Sequence, residues 1–252
     1  MSQYDTLGAF KPRGRSPWRQ AGAWSAIALV IVAVVGALVW AFYVQSHGAA
    51  IDPQSLCETK GATSVTVMLV DATDRVSPIQ REAITSRLDR LLAQLKSNER
   101  LDIYEIRPGR DPLSPVFSKC RPLAPNEVNE ATGNKRLAQQ RFDTEFKRRL
   151  ASTLDALLAR EPAPTSPIME AIQAADVKSF QSPQLRTDAP GFHRRLIVVS
   201  DMLENGDAGS HYGAEPEFAT YKKTPQYAQF RSDLTGVEAI LLYLRRDSGA
   251  QV

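Results

Sequence analysis

The segment Ser64–Ile79 constrains the fold most, because a nearly continuous apolar run ends there in oxygen-bearing side chains. A run such as Val65–Val70 is typical of a strand buried on both faces of a parallel sheet. Asp71 and Thr73 follow at once, and Ser77-Pro78 then marks the start of a helix. Because ligands bind beyond the carboxyl ends of parallel strands, we expect an α/β fold with oxygen ligands at the end of this strand.

Alternating strand and helix patterns continue along the chain and predict a doubly wound, mostly parallel sheet flanked by helices. Leu101–Ile106 alternates apolar and charged residues, which favours a strand nearer the sheet edge. Arg107–Thr132 is rich in Pro, Gly and Asn and is predicted to be a long loop. Further strands are predicted at Leu196–Val199 and Val237–Leu244, and helices from Ser77, over Leu137–Arg160, from Ser166 to about Val177, and near Pro225–Arg231.

A second feature sets the domain organisation. Ala21–Val44 is a run of 24 residues without a charge, and about 20 apolar helical residues span a bilayer. We therefore predict a cytoplasmic tail at 1–20, a transmembrane helix at 21–44, a linker at 45–61 and an extracytoplasmic domain at 62–246. The alternative is a cleaved signal peptide, since residues 46–50 loosely resemble a small-residue cleavage site.

The charges before this run set its predicted orientation. Residues 1–20 contain four basic residues against Asp5, a net charge of +3 that equals the charge of the whole chain. By the positive-inside rule the N-terminus is cytoplasmic, which predicts a single-pass protein of the cell inner membrane whose C-terminal domain faces the periplasm or exterior. Because residues 51–252 are net neutral, the sequence gives no support for nucleic-acid binding.

The two cysteines, Cys57 and Cys120, both follow the apolar run. An oxidising compartment favours a disulfide between them. The alternative is two unpaired thiols, and a C-x2-C metal spacing is absent from the sequence.

Oxygen-bearing side chains recur where predicted elements meet. Asp71 and Thr73 follow one strand, Asp201 follows another, and Ser166 or Thr165 precedes a helix. Loops at the carboxyl ends of parallel strands lie side by side, so we expect these groups to converge. Two carboxylates with two or three hydroxyls suit Mg²⁺, which keeps several of its waters.

These residues resemble the metal-ion-dependent adhesion site of von Willebrand factor A-like domains. Asp71-Ala-Thr73-Asp-Arg75 is similar to the family's Asp-x-Ser-x-Ser motif, Thr165-Ser166 to its threonine segment, and Leu196–Asp201 to the strand that ends in its last aspartate. The resemblance implies a Rossmann-like sheet and a site at Asp71, Thr73, Ser166 and Asp201 for Mg²⁺, or Mn²⁺ or Ca²⁺ in its place. It also implies recognition of a protein partner whose carboxylate completes the coordination of the ion.

The sequence departs from the family pattern at Arg75, because a guanidinium cannot be a metal ligand. Arg75 instead supplies a charge partner for Asp71 or Asp201, which leaves open a degenerate site without an ion. Ser166 has a second possible role as a helix N-cap.

We therefore expect a membrane-anchored, non-enzymatic interaction module whose partner the sequence does not identify. The alternative is a phosphatase-like, metal-dependent hydrolase that uses Asp71 as nucleophile or metal ligand. Against it, Thr73 stands where such enzymes have a second aspartate.

Overall fold

The computed structural model describes residues 17–47, 50–73, 76–109, 114–128, 133–213 and 217–245; in the first helix, side chains are described for 25–40 and 42. The chain divides into two compact units, Met1–Gly48 and Ala49–Val252. Among the described residues, the first unit contains one helix and the second unit contains the sheet.

The first unit contains α1 (Pro17–His47), which extends beyond the predicted span at both ends. Its described apolar side chains are exposed, Leu29 and Phe42 by 71% and 74%. Within the part of the chain that the structure describes, no helix has both the length and the apolar character needed to cross a membrane.

The second unit contains a five-stranded sheet flanked by helices. Its strands run in the order β3-β2-β1-β4-β7; β3 is antiparallel to β2, and the other neighbours are parallel. The strands are β1 (Ser64–Asp71), β2 (Glu99–Ile106), β3 (Phe117–Cys120), β4 (Arg194–Ser200), a small β5 (Asn205–Gly206) and β6 (Gly209–Ser210) hairpin, and β7 (Val237–Tyr243). The helices are α2 (Pro78–Leu92), α3 (Lys135–Gln140), α4 (Arg149–Leu158), α5 (Ile168–Ala175), α6 (Phe218–Tyr221) and α7 (Pro225–Phe230), with π-helical turns at Arg141–Arg148 and Asp176–Phe180 and a 3-10 turn at Pro125–Glu127.

Helices cover both faces of this sheet, which confirms the α/β class. On one face, Met68 and Val70 of β1 pack in a cluster with Leu88 of α2. On the other face, Val67 packs in a cluster with Ala171 of α5. Alternate residues of β1 belong to two separate cores, which explains why Val65 and the run 67–70 are apolar on both faces of the strand. The sheet is mixed and mostly parallel, as the sequence predicted.

The start of α2 is determined by local sequence. Ser77 Oγ accepts from the Gln80 backbone N–H, and the Gln80 side chain accepts from the Ser77 N–H. Pro78 occupies the first turn, where its missing N–H costs nothing. This capping box fixes the helix start at the position predicted from the sequence.

The prediction for Arg107–Thr132 was incomplete, because this segment contains β3. Phe117 of β3 packs edge-on against Phe146, and Cys120 is fully buried. As a result, β2 has neighbours on both sides and is buried along its whole length. Its Asp102 pairs with Arg100 across 3.0 Å and accepts a hydrogen bond from Ser179, which compensates for burying the charges.

Cys57 and Cys120 form the predicted disulfide. It joins residues 63 apart in sequence and connects the first residues of the second unit to the edge strand β3. The Cys120 N–H also donates to Ser55 O at 2.8 Å. Residues from the predicted linker 45–61 therefore contact β3 directly.

The two edges of the sheet differ. The short strand β3 is flanked by the Cys57 segment and by Phe146. No described strand pairs with the outer side of β7. Leu241 and Tyr243 of β7 are 57% and 67% exposed.

Candidate functional site

The candidate site lies at the carboxyl ends of β1 and β4. These strands are parallel neighbours, with Val70 opposite Val199. The next residues, Asp71 and Ser200, therefore reach the same edge of the sheet, and Asp201 follows one residue later. This is the edge at which α/β sheets bind ligands.

Asp71 is at the centre of a hydrogen-bond cluster. Its Oδ1 accepts from the Thr73 backbone N–H at 3.1 Å and from Thr73 Oγ1 at 2.5 Å. Its Oδ2 accepts from Ser166 Oγ at 2.9 Å and from Ser200 Oγ at 2.7 Å. Asp71 is 4% exposed. Three distant segments of the chain thus converge on one carboxylate.

Asp201 follows Ser200 directly in the chain and is 5% exposed. Its Oδ1 accepts from the Leu203 N–H at 2.9 Å. The intervening Met202 has a φ of 60°, a left-handed conformation that is uncommon for a residue other than glycine. Such backbone conformations persist where the surroundings enforce them, often at functional sites. We call Asp71, Thr73, Ser166, Ser200 and Asp201 the Asp71 cluster.

The predicted N-cap role of Ser166 was wrong. The helix begins at Ile168, Pro167 occupies the N-cap position, and no local side chain caps it. The Ser166 hydroxyl donates to Asp71 instead. Its backbone is fixed by Asn205, whose N–H and carbonyl each bond to Ser166 at 2.9 Å.

Arg75, the predicted charge partner, lies outside the described residues. Sequence reasoning missed Ser200 as a contributor. Only its position in the sequence pointed to it. The apolar run of β4 ends at Ser200, and the parallel pairing of β4 with β1 brings this residue next to Asp71. It also missed Glu204, a buried carboxylate in the loop after β4.

Glu204 is the most perturbed titratable group in this region. Its pKa is raised to about 7, chiefly by burial; the Glu170 carboxylate adds to the rise, whereas hydrogen bonds from the Met169 and Ile168 N–H groups oppose it. Its Oε2 accepts from the Met169 N–H at 2.8 Å. Its Oε1 has no hydrogen-bond partner among the described residues.

The donor set of the Asp71 cluster fits a hard divalent cation. Two carboxylates and three hydroxyls supply oxygen ligands, which Mg²⁺ and Mn²⁺ prefer to thiol or imidazole ligands. Each hydroxyl that donates its proton to Asp71 retains lone pairs for an ion. No group of three or more His, Cys, Asp and Glu side chains suited to a metal occurs among the described residues. Such a site would therefore depend on hydroxyls and water.

No protein-family model matches the sequence, and no curated protein matches it. Among solved structures, the chain is similar to an aerotolerance-related membrane protein from Bacteroides fragilis NCTC 9343, crystallised with multiple mutations to serines. The TM-score is 0.33 and the sequence identity 13%, over 71% of this chain. The match spans 66% of that protein, just under two thirds of its length.

Proposed function

We propose that this chain is a membrane-anchored, extracytoplasmic interaction module of the von Willebrand factor A-like type. It binds a protein partner at the Asp71 cluster and is not an enzyme. The observation that carries the proposal is the convergence of Thr73, Ser166 and Ser200 on Asp71. These hydroxyls come from three segments, and such a hydroxyl-rich site can hold an ion while leaving coordination positions to a partner.

A divalent cation, Mg²⁺ or in its place Mn²⁺ or Ca²⁺, would be held by Thr73, Ser166, Ser200 and the two aspartates. When bound, it would supply a positive centre that attracts a carboxylate of the partner. Asp71 and its hydrogen-bond donors would keep the hydroxyl oxygens oriented. The cluster also satisfies the Asp71 carboxylate without an ion, so binding is expected to be weak and of millimolar affinity, as in extracellular cation sites.

The burial of Asp71 favours the interaction module over the hydrolase alternative. The residue is 4% exposed, and a nucleophilic carboxylate must reach its substrate. Asp71 is better suited to orient neighbouring hydroxyls.

The proposed membrane attachment rests on the sequence of 21–44 and on the basic residues before it. The predicted topology places the second unit outside the cytoplasm. The disulfide is consistent with this location, because disulfides persist in oxidising compartments.

Ion binding is tested by melting the full chain in detergent with and without 5 mM Mn²⁺ or Mg²⁺. Binding to the native state should raise the midpoint by mass action. Asp71→Ala and Ser166→Ala should abolish that rise, whereas the exposed Asp155→Ala should keep it. An equal rise in all variants would refute ion binding at this cluster.

Partner recognition is tested in cells with a photo-crosslinking amino acid in place of Tyr212, which is 58% exposed in the loop after the cluster. A discrete crosslinked protein should form, and Asp71→Asn should remove it while Asp155→Asn does not. A crosslinked protein that also forms with Asp71→Asn, or no crosslinked protein at all, would count against the proposal. Phosphate-ester hydrolysis that disappears with Asp71→Asn would favour an enzyme.

A further inference from the structure

Helix α5 lacks a cap from its own segment. Pro167 occupies the N-cap position without a capping side chain, and the Ser166 hydroxyl is committed to Asp71. The first-turn N–H groups of a helix need acceptors from elsewhere. Glu204 provides one: its Oε2 accepts from the Met169 N–H at 2.8 Å, although the two residues are 35 positions apart.

The same loop also holds the backbone of Ser166. Asn205, next to Glu204, exchanges two backbone hydrogen bonds with Ser166, both 2.9 Å long. Its side-chain Nδ2 donates to Pro164 O at 2.9 Å. Residues 204 and 205 therefore bind both sides of the turn that presents the Ser166 hydroxyl.

The Glu204 carboxyl group lies close to the loop backbone. A Cβ atom added at Gly206 would lie 2.8 Å from Glu204 Oε1 and 3.1 Å from Pro167 Cα. The loop therefore passes near both the carboxyl group and the turn at Pro167. Glu204 is 4% exposed.

Glu204 Oε1 has no hydrogen-bond partner among the described residues. This requires an explanation, because buried polar atoms without such partners are rare and energetically costly. The titratable groups that interact with Glu204 are Glu170 on α5, His211 after the β5–β6 hairpin and Tyr221 on α6. Glu170 opposes its charge and His211 favours it. A carboxylate at a helix N-terminus is also favoured by the helix dipole.

We propose that Glu204 is the positioning residue of the Asp71 cluster: by capping α5 it holds the Ser166 hydroxyl within hydrogen-bonding distance of Asp71. The cation part of this inference rests on the proposed function, whereas the capping part does not. Residues that orient metal ligands typically change metal affinity by about 10- to 100-fold when removed.

The capping bond is measured on the full chain in detergent, labelled with ¹⁵N-methionine. The chain has four methionines, so the spectrum is simple. The Met169 amide signal should shift with pH, with a midpoint near 7, as its acceptor gains a proton. Glu204→Gln should abolish the shift, and Glu170→Gln should keep it. A Met169 signal that has the same position and the same pH dependence in Glu204→Ala as in the native protein would overturn the proposal.

Positioning is measured by Mn²⁺ titration at pH 8. Glu204→Ala should weaken binding at least about tenfold, whereas Glu204→Gln, which retains an acceptor oxygen, and Glu170→Ala should bind within twofold of the native protein. Unchanged affinity in a folded Glu204→Ala variant would overturn the proposal.

A separate readout covers the case in which the native chain binds no Mn²⁺, which would remove the ion from the proposed function. Hydrogen exchange then decides the inference. Glu204→Ala should accelerate exchange of the Ser166 and Asn205 amides while leaving the buried strand β1 protected. Retained protection at both amides would overturn the positioning role.

Discussion

The Cys57–Cys120 disulfide gives the sharpest prediction about stability. The bond closes a loop between residues 63 apart, and the chain-entropy model assigns such a loop about 4 kcal/mol at 25 °C. For a domain of about 200 residues, each kcal/mol corresponds to a shift of roughly 2–4 °C. Loss of the bond should therefore lower the melting midpoint of the second unit by roughly 8–16 °C.

Two perturbations separate the bond from the packing of the sulfur atoms. Reducing buffer removes the bond and keeps both sulfurs, whereas the double variant Cys57→Ala and Cys120→Ala removes the sulfurs as well. Because Cys120 is fully buried, the double variant should lose slightly more stability than the native chain in reducing buffer. Urea unfolding followed by circular dichroism measures both.

The reasoning also predicts where the effect originates. If the bond acts on the unfolded chain, its loss should increase the urea dependence of unfolding, since the released chain exposes more surface. Coincident urea transitions for oxidised and reduced native protein would refute the entropic argument.

Three further predictions concern single side chains. The native protein should lose about 3 kcal/mol of stability between pH 4.5 and 8, because the folded-state pKa of Glu204, about 7, lies above the ordinary 4.5 and the folded state binds the proton more tightly. Glu204→Gln should abolish this pH dependence. Urea titrations at both pH values measure it, and an unchanged pH slope in the variant would contradict the prediction. Asp102→Ala should cost about 3–5 kcal/mol by leaving Arg100 buried without its partner, and a cost below 1 kcal/mol in urea unfolding would show that the pair contributes little. Leu88→Ala, at a residue 1% exposed, should cost about 2–5 kcal/mol, whereas Ile79→Ala on the same helix, 82% exposed, should stay within about 0.5 kcal/mol; equal losses would place the core elsewhere.

The strands β1 and β4 were predictable because their apolar residues pack into the hydrophobic clusters on both faces of the sheet. β1 and β4 are apolar on both faces and end in oxygen-bearing residues. Two parallel neighbours of this kind bring Asp71 and Asp201 to one edge. Likewise, the capping box at Ser77 is encoded within four residues.

The elements that escaped prediction depend on tertiary contacts. β3 is four residues long and carries no periodic signal; it forms because Phe117 packs against Phe146 and Cys120 is bonded to Cys57. Glu204 caps a helix that begins 36 residues earlier in the chain. No local pattern identifies a cap supplied from that distance.

The outer side of β7, with which no described strand pairs, has a consequence for handling the protein. A regular apolar strand without a described neighbour on one side offers its amide and carbonyl groups to any extended chain it meets. High protein concentration is therefore expected to favour aggregation through this edge. Refolding at low protein concentration, or the substitution Leu241→Lys, should keep the protein soluble and leave the Asp71 cluster unchanged.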